Sequence, residues 1–99
     1  SLYTNEDGYF NSAFGYRAMF SNISGVFNSA SGYEALKNNT TGWSNTALGY
    51  TALNKNINGD DNVAIGVGAL YSNEYGDQNI ALGVQALEKD TLGSNIIAI

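Results

Sequence analysis

Asn62-Val63-Ala64-Ile65-Gly66-Val67 alternates strictly: in an extended chain Val63, Ile65 and Val67 point to one face and Asn62, Ala64 and Gly66 to the other. The stretch reads as a short β-strand. Seventeen residues upstream stands Asn45-Thr46-Ala47-Leu48-Gly49-Tyr50, and seventeen downstream Asn79-Ile80-Ala81-Leu82-Gly83-Val84. Glycine recurs at the same step at Gly8, Gly25, Gly42, Gly59, Gly76 and Gly93, and again at Gly15, Gly32, Gly49, Gly66 and Gly83. Alanine follows at Ala13, Ala30, Ala47, Ala64, Ala81 and Ala98, and a second alanine series runs from Ala18 to Ala86. Beside it runs Met19, Leu36, Leu53, Leu70, Leu87. Asparagine fills two further series, Asn11, Asn28, Asn45, Asn62, Asn79 and Asn22, Asn39, Asn56, Asn73. No insertion or deletion breaks the 17-residue step anywhere in the 99 residues.

A step this strict has a physical cause if each repeat is one coil of a solenoid and every position lies on its own equivalent in the next coil. One inserted residue would then turn a whole strand inside out. A 17-residue unit cannot bury its own apolar face, so stability comes from stacking on its neighbours. The expected fold is therefore mainly β, a parallel β-solenoid of about six 17-residue coils. The segment after each strand, such as Val84-Gln85-Ala86-Leu87-Glu88-Lys89-Asp90, reads equally as a second strand or as one helical turn per coil. Glycines at fixed corners supply positive φ or close backbone approach. In-register asparagines suit corners and form amide ladders from coil to coil. Residues 1–99 read as a single repeat domain, a segment of a longer fibre or a filament protomer.

The runs Asn45-Thr46-Ala47-Leu48-Gly49-Tyr50, Asn62-Val63-Ala64-Ile65-Gly66 and Asn79-Ile80-Ala81-Leu82-Gly83 resemble the repeats of trimeric autotransporter adhesin heads. The longer unit Gly49-Tyr50-Thr51-Ala52-Leu53-Asn54-Lys55-Asn56-Ile57-Asn58-Gly59 is similar to repeats of bacteriophage tail-fibre proteins. The resemblance spans the whole chain. It implies a left-handed parallel β-roll, three chains packed side by side, projecting from a cell or virion surface and used in attachment. It carries over no catalytic residue.

Composition narrows the chemistry. There is no cysteine, which removes disulfides, thiolate metal sites and cysteine nucleophiles. There is no histidine, hence no Ser-His-Asp triad. Four basic residues against nine acidic ones cannot lay down a phosphate-neutralising stripe, so nucleic acid is not an expected partner. The longest apolar run, Ile96 to Ile99, is far short of the ~20 residues of a membrane span. No cofactor is implied, and the chain reads as a non-enzyme.

Candidate contact residues come from an aromatic concentration in the first half: Tyr9, Phe10, Phe14, Tyr16, Phe20, Phe27, Tyr33, Trp43 and Tyr50. Tyr16, Tyr33 and Tyr50 share one series and are expected to stack as a ladder. Trp43, at a corner beside Gly42, and Tyr9 are the candidates for touching a cell-surface glycan or receptor. Asp60, Asp61, Glu74 and Asp77 gather near corners and read as a solvated edge, because the spacing of calcium-binding β-rolls is absent. Sequons place candidate glycosylation at Asn22, Asn38 and Asn39. The expected role is a structural and adhesive module at an extracellular, cell-surface or virion location, associating with itself as a homotrimer or an end-to-end filament. A monomeric carbohydrate-binding module is the alternative.

Overall fold

A computed structural model describes residues 8–89 and 93–99. Six short strands, β1 (Ser12–Phe14), β2 (Ser29–Ser31), β3 (Thr46–Leu48), β4 (Val63–Ile65), β5 (Ile80–Leu82) and β6 (Ile97–Ala98), form one sheet in chain order. Every pairing is parallel and joins residues one repeat apart, such as Thr46 with Val63 and Ala47 with Ala64. The molecule is a parallel β-solenoid, and like stacks on like along its length. Its extents are 32 × 22 × 17 Å. The long dimension is what six coils at a spacing of about 4.8 Å require.

Backbone hydrogen bonds tie successive coils together around the perimeter, not only in the sheet. At the ends of β3, Thr46 N–H donates to Asn62 O (2.8 Å) and Gly66 N–H donates to Leu48 O (2.8 Å). On the far side, Leu53 N–H reaches Ala69 O (2.9 Å) and Lys55 N–H reaches Tyr71 O (3.1 Å).

That far side is neither of the two structures read from sequence: among the described residues the segment is not a strand and not a helical turn. The chain runs through successive tight turns, with Ala52 N–H on Gly49 O (3.3 Å), Asn54 N–H on Thr51 O (3.2 Å) and Asn56 N–H on Leu53 O (3.2 Å). Every second residue takes a positive φ, +56° at Thr51 and +50° at Leu53. The physical reason is a division of donors. Alternate N–H groups close local turns while those between them point along the solenoid axis to a neighbouring coil, Thr51 N–H to Tyr33 O and Leu53 N–H to Ala69 O; a helical turn would spend all of them locally.

The interior is thin. Three apolar series fill it: the strand alanines, the second alanine series, and Met19, Leu36, Leu53 and Leu70, which are fully buried. Leu87 packs against the end of this core and is partly buried. The row of small residues in each strand therefore faces inward, and Val63, Ile65 and their equivalents face out. The leucine side chains of the turn side and the strand alanines belong to one buried cluster.

Two buried asparagine ladders flank the core. Asn56 Nδ2 donates to Asn39 Oδ1 (2.8 Å) and to Gly59 O (3.0 Å), while Asn73 Nδ2 donates to Asn56 Oδ1 (2.9 Å). In the other ladder the Asn28, Asn45, Asn62 and Asn79 amides each accept from the backbone of the next coil, as Asn45 Oδ1 does from Asn62 N–H (3.0 Å), and donate to a corner carbonyl, as Asn45 Nδ2 does to Gly59 O (2.7 Å). Burial of these amides is tolerable because their hydrogen bonds are made. Glycine is obligatory at Gly49: its φ is +134°, and a Cβ there would lie 2.7 Å from Gly66 O. The same holds through the series Gly15, Gly32 and Gly66, each facing the backbone of the next coil.

Candidate interaction surfaces

The side chains that face out from each coil form rows along the axis, and their chemistry changes from one end to the other. In β1, β2 and β3 the first outward position is Ser12, Ser29 or Thr46; in β4, β5 and β6 it is Val63, Ile80 or Ile97. The next outward row is Phe14, Ser31, Leu48, Ile65, Leu82 and Ile99. Most of these aliphatic groups are exposed, Leu48 to 49% and Ile97 to 70%. The outward face of the C-terminal half is therefore a continuous aliphatic surface. In the N-terminal half Ser31 is small between Phe14 and Leu48, and a shallow depression of about 510 Å³ lies there, lined by β1, β2 and β3.

Two aromatic ladders edge the hydroxyl-bearing half. Tyr16, Tyr33 and Tyr50 stack with centroids 5.2 and 5.1 Å apart and planes within 16° and 10° of parallel. Phe10 and Phe27 stack at 5.3 Å, with Tyr9 edge-on to Phe10 at 5.1 Å. In such a ladder ring faces cover one another and mainly edges meet solvent. Sugar recognition needs an open ring face, so the stacks themselves are poor platforms. Trp43 shares no ring stack among the described residues and is 45% exposed. Of the two candidate contact residues, Trp43 thus offers the freer ring. Its backbone N–H donates to Asp60 Oδ1 (2.9 Å).

The acidic edge is a ladder of the same kind. Asp77 Oδ1 accepts Asp60 N–H (2.8 Å), just as Asp60 accepts Trp43 N–H, so each carboxylate caps the coil before it. Burial raises the pKa of the Asp60 carboxyl above its ordinary value, and repulsion from Asp77 and Asp61 adds to this against the hydrogen bonds from Trp43. On the opposite edge Glu34 faces Arg17 (3.7 Å) and Lys37 (3.4 Å), and the Arg17 guanidinium lies 5.0 Å from the Tyr16 ring centre. Glu34 is also the first cause of a raised pKa at the Tyr33 phenol.

The three sequons fare differently. Asn22 and Asn39 are fully buried members of an amide ladder, so in the folded chain neither has room for a glycan; that expectation is corrected. Asn38 is half-buried, with its amide on Asn54 O at 2.9 Å.

What sequence reading missed altogether is a second set of left-handed residues. Phe10, Phe27, Ser44, Asp61, Gln78 and Asn95 have φ between 56° and 60°, and Arg17, Glu34, Thr51 and Gln85 lie between 53° and 58°. Only Gly68, in the second of these rows, signals the conformation by residue type.

Fold and surface together define a parallel β-solenoid repeat protein. No family model, no curated protein and no solved structure matches the chain.

Proposed function

We propose that this chain is a non-enzymatic structural and adhesive module of an extracellular or virion fibre, in which three copies pack side by side through their outward strand faces. The observation that carries the reading is the aliphatic surface of β4, β5 and β6. Val63, Ile65, Val67, Ile80, Leu82 and Val84 lie outside a coil whose interior is already filled, so their apolar character is not needed for the core. Their combined exposure is on the order of several hundred Å², the size at which an apolar patch marks an interaction site. A thin solenoid buries a small fraction of its surface, and a shared seam supplies more.

Light scattering of the chain, with cross-linking, tests this. Three times the chain mass is expected, and Ile65→Asp, which changes only an outward side chain, is expected to return the mass of one chain. A compact monomer at all concentrations overturns the trimer.

Trp43 supports a role in attachment, because its ring is 45% exposed, lies in no aromatic stack among the described residues, and sits beside carboxylates able to hydrogen-bond a glycan hydroxyl. Glycan-array binding lost in Trp43→Ala with the fold intact is the expected result. Binding that is unchanged removes Trp43 from the contact surface.

A further inference from the structure

The chain has no cysteine, and Met19, its one methionine, is fully buried. It therefore has no disulfide to tie coils together and no exposed sulfur to meet an oxidant. What it presents to an oxidising exterior instead is the tyrosine ladder. Tyr16, Tyr33 and Tyr50 are exposed, nearly parallel, and 5.2 and 5.1 Å apart. The backbone beneath holds that spacing: Glu34 N–H donates to Tyr16 O and Thr51 N–H to Tyr33 O, both at 2.8 Å, and Gly68 N–H to Tyr50 O at 2.9 Å. No other described tyrosine has a phenol stacked on it. Tyr9 meets a phenylalanine edge-on, and Tyr71 faces the Lys55 ammonium at 5.5 Å.

We propose that this ladder is an oxidative cross-linking site, at which Tyr33 forms an intrachain dityrosine bond with Tyr16 or Tyr50 and so ties neighbouring coils covalently. The co-reactant is hydrogen peroxide acting through a peroxidase-type one-electron oxidant. Each of two phenols loses one electron and its hydroxyl proton. The two phenoxyl radicals join through a new carbon–carbon bond between ring positions ortho to oxygen. The hydrogens on those carbons then move to the phenol oxygens, restoring both aromatic rings. The two hydrogen atoms lost overall reduce one peroxide to two waters. Rings pinned one coil apart couple in preference to rings that must meet by diffusion. The bond requires the rings to turn from face-to-face to edge-to-edge, which exposed side chains on a fixed backbone are free to do. This inference does not depend on the number of chains in the assembly.

The test is dilute chain treated with peroxidase and hydrogen peroxide, then unfolded and cut with trypsin. Cleavage after Arg17, Lys37 and Lys55 leaves Tyr16, Tyr33 and Tyr50 in three separate peptides, 1–17, 18–37 and 38–55. The expected products are single chains lighter by two hydrogens per bond, with dityrosine fluorescence. They yield peptide 18–37 joined to 1–17 or to 38–55, fragmentation placing the links at Tyr16, Tyr33 and Tyr50. Tyr33→Phe is expected to lose both joined species, and Tyr50→Phe to keep the first and lose the second. Links formed mainly between chains, links that survive Tyr33→Phe, or no dityrosine under conditions that couple free tyrosine, each overturn the proposal.

Discussion

Leu53→Ala is the perturbation that weighs the interior most directly. Leu53 is 0% exposed and lies between Leu36 and Leu70 of the adjoining coils, both also 0% exposed. Truncation removes three carbon atoms, worth about 0.8 kcal/mol each in transfer alone. The cavity adds to this, because the coils cannot close over it: Leu36 N–H is held on Ala52 O and Leu53 N–H on Ala69 O, each at 2.9 Å. The backbone gains nothing, since alanine at a φ of +50° is as strained as leucine. The expected loss is about 4 kcal/mol, in the upper part of the range for buried leucines. In a chain of this length that corresponds to a fall in Tm of roughly 15–30 °C. Thermal and urea unfolding at one fixed protein concentration provide the assay, because association makes stability concentration-dependent. Leu48→Ala, on the outward face, is the control; it is expected to change the unfolding of the single chain little while weakening association. A loss below about 1 kcal/mol for Leu53→Ala would refute the assignment of the leucine series to the interior.

Gly49→Ala places a methyl group 2.7 Å from Gly66 O at a φ of +134°, and is expected to cost several kcal/mol or to prevent folding, read by circular dichroism. Thr51 is β-branched at a φ of +56°, so Thr51→Gly is expected to raise Tm by relieving a left-handed strain of about 1 kcal/mol. Asp60→Asn keeps the oxygen that accepts Trp43 N–H and removes the repulsion from Asp77 and Asp61. The folded carboxyl binds its proton more tightly than the unfolded one, so its ionisation lowers stability as pH rises from the ordinary aspartate pKa through the raised folded value. Asp60→Asn is therefore expected to be the more stable chain at neutral pH, with the gain vanishing at more acid pH, below both pKa values, as measured by urea melts.

The solenoid was legible because its evidence is a period, and a period survives any uncertainty about single residues. Ala47 over Ala64 follows from the step alone. The sense of the strand was not legible. Apolarity does not reveal that Ala64 faces in and Ile65 out, because the side chains that fill the interior come from the leucine series on the far side of the coil. The turn segment was hidden for a related reason. Leu53 is constant because it is buried, not because leucine favours a left-handed turn, and Thr51 or Gln85 carry no mark of their positive φ. The ladder of tyrosines could be read from spacing, whereas the burial of Asn22 and Asn39 could not, since a sequon reports residue types and not which way an amide points.

The sharpest check of one-coil stacking uses the absence of cysteine. Spin labels on Thr46→Cys and Val63→Cys, outward residues paired in register, are expected to show strong spin exchange at the strand-to-strand spacing of about 4.8 Å. Labels on Thr46→Cys and Lys55→Cys, half a coil apart, are expected to show none, with each single label supplying the contribution from neighbouring chains. No exchange in the first pair beyond that of the single labels, or equal exchange in both, would contradict the stacking on which the proposed fibre rests.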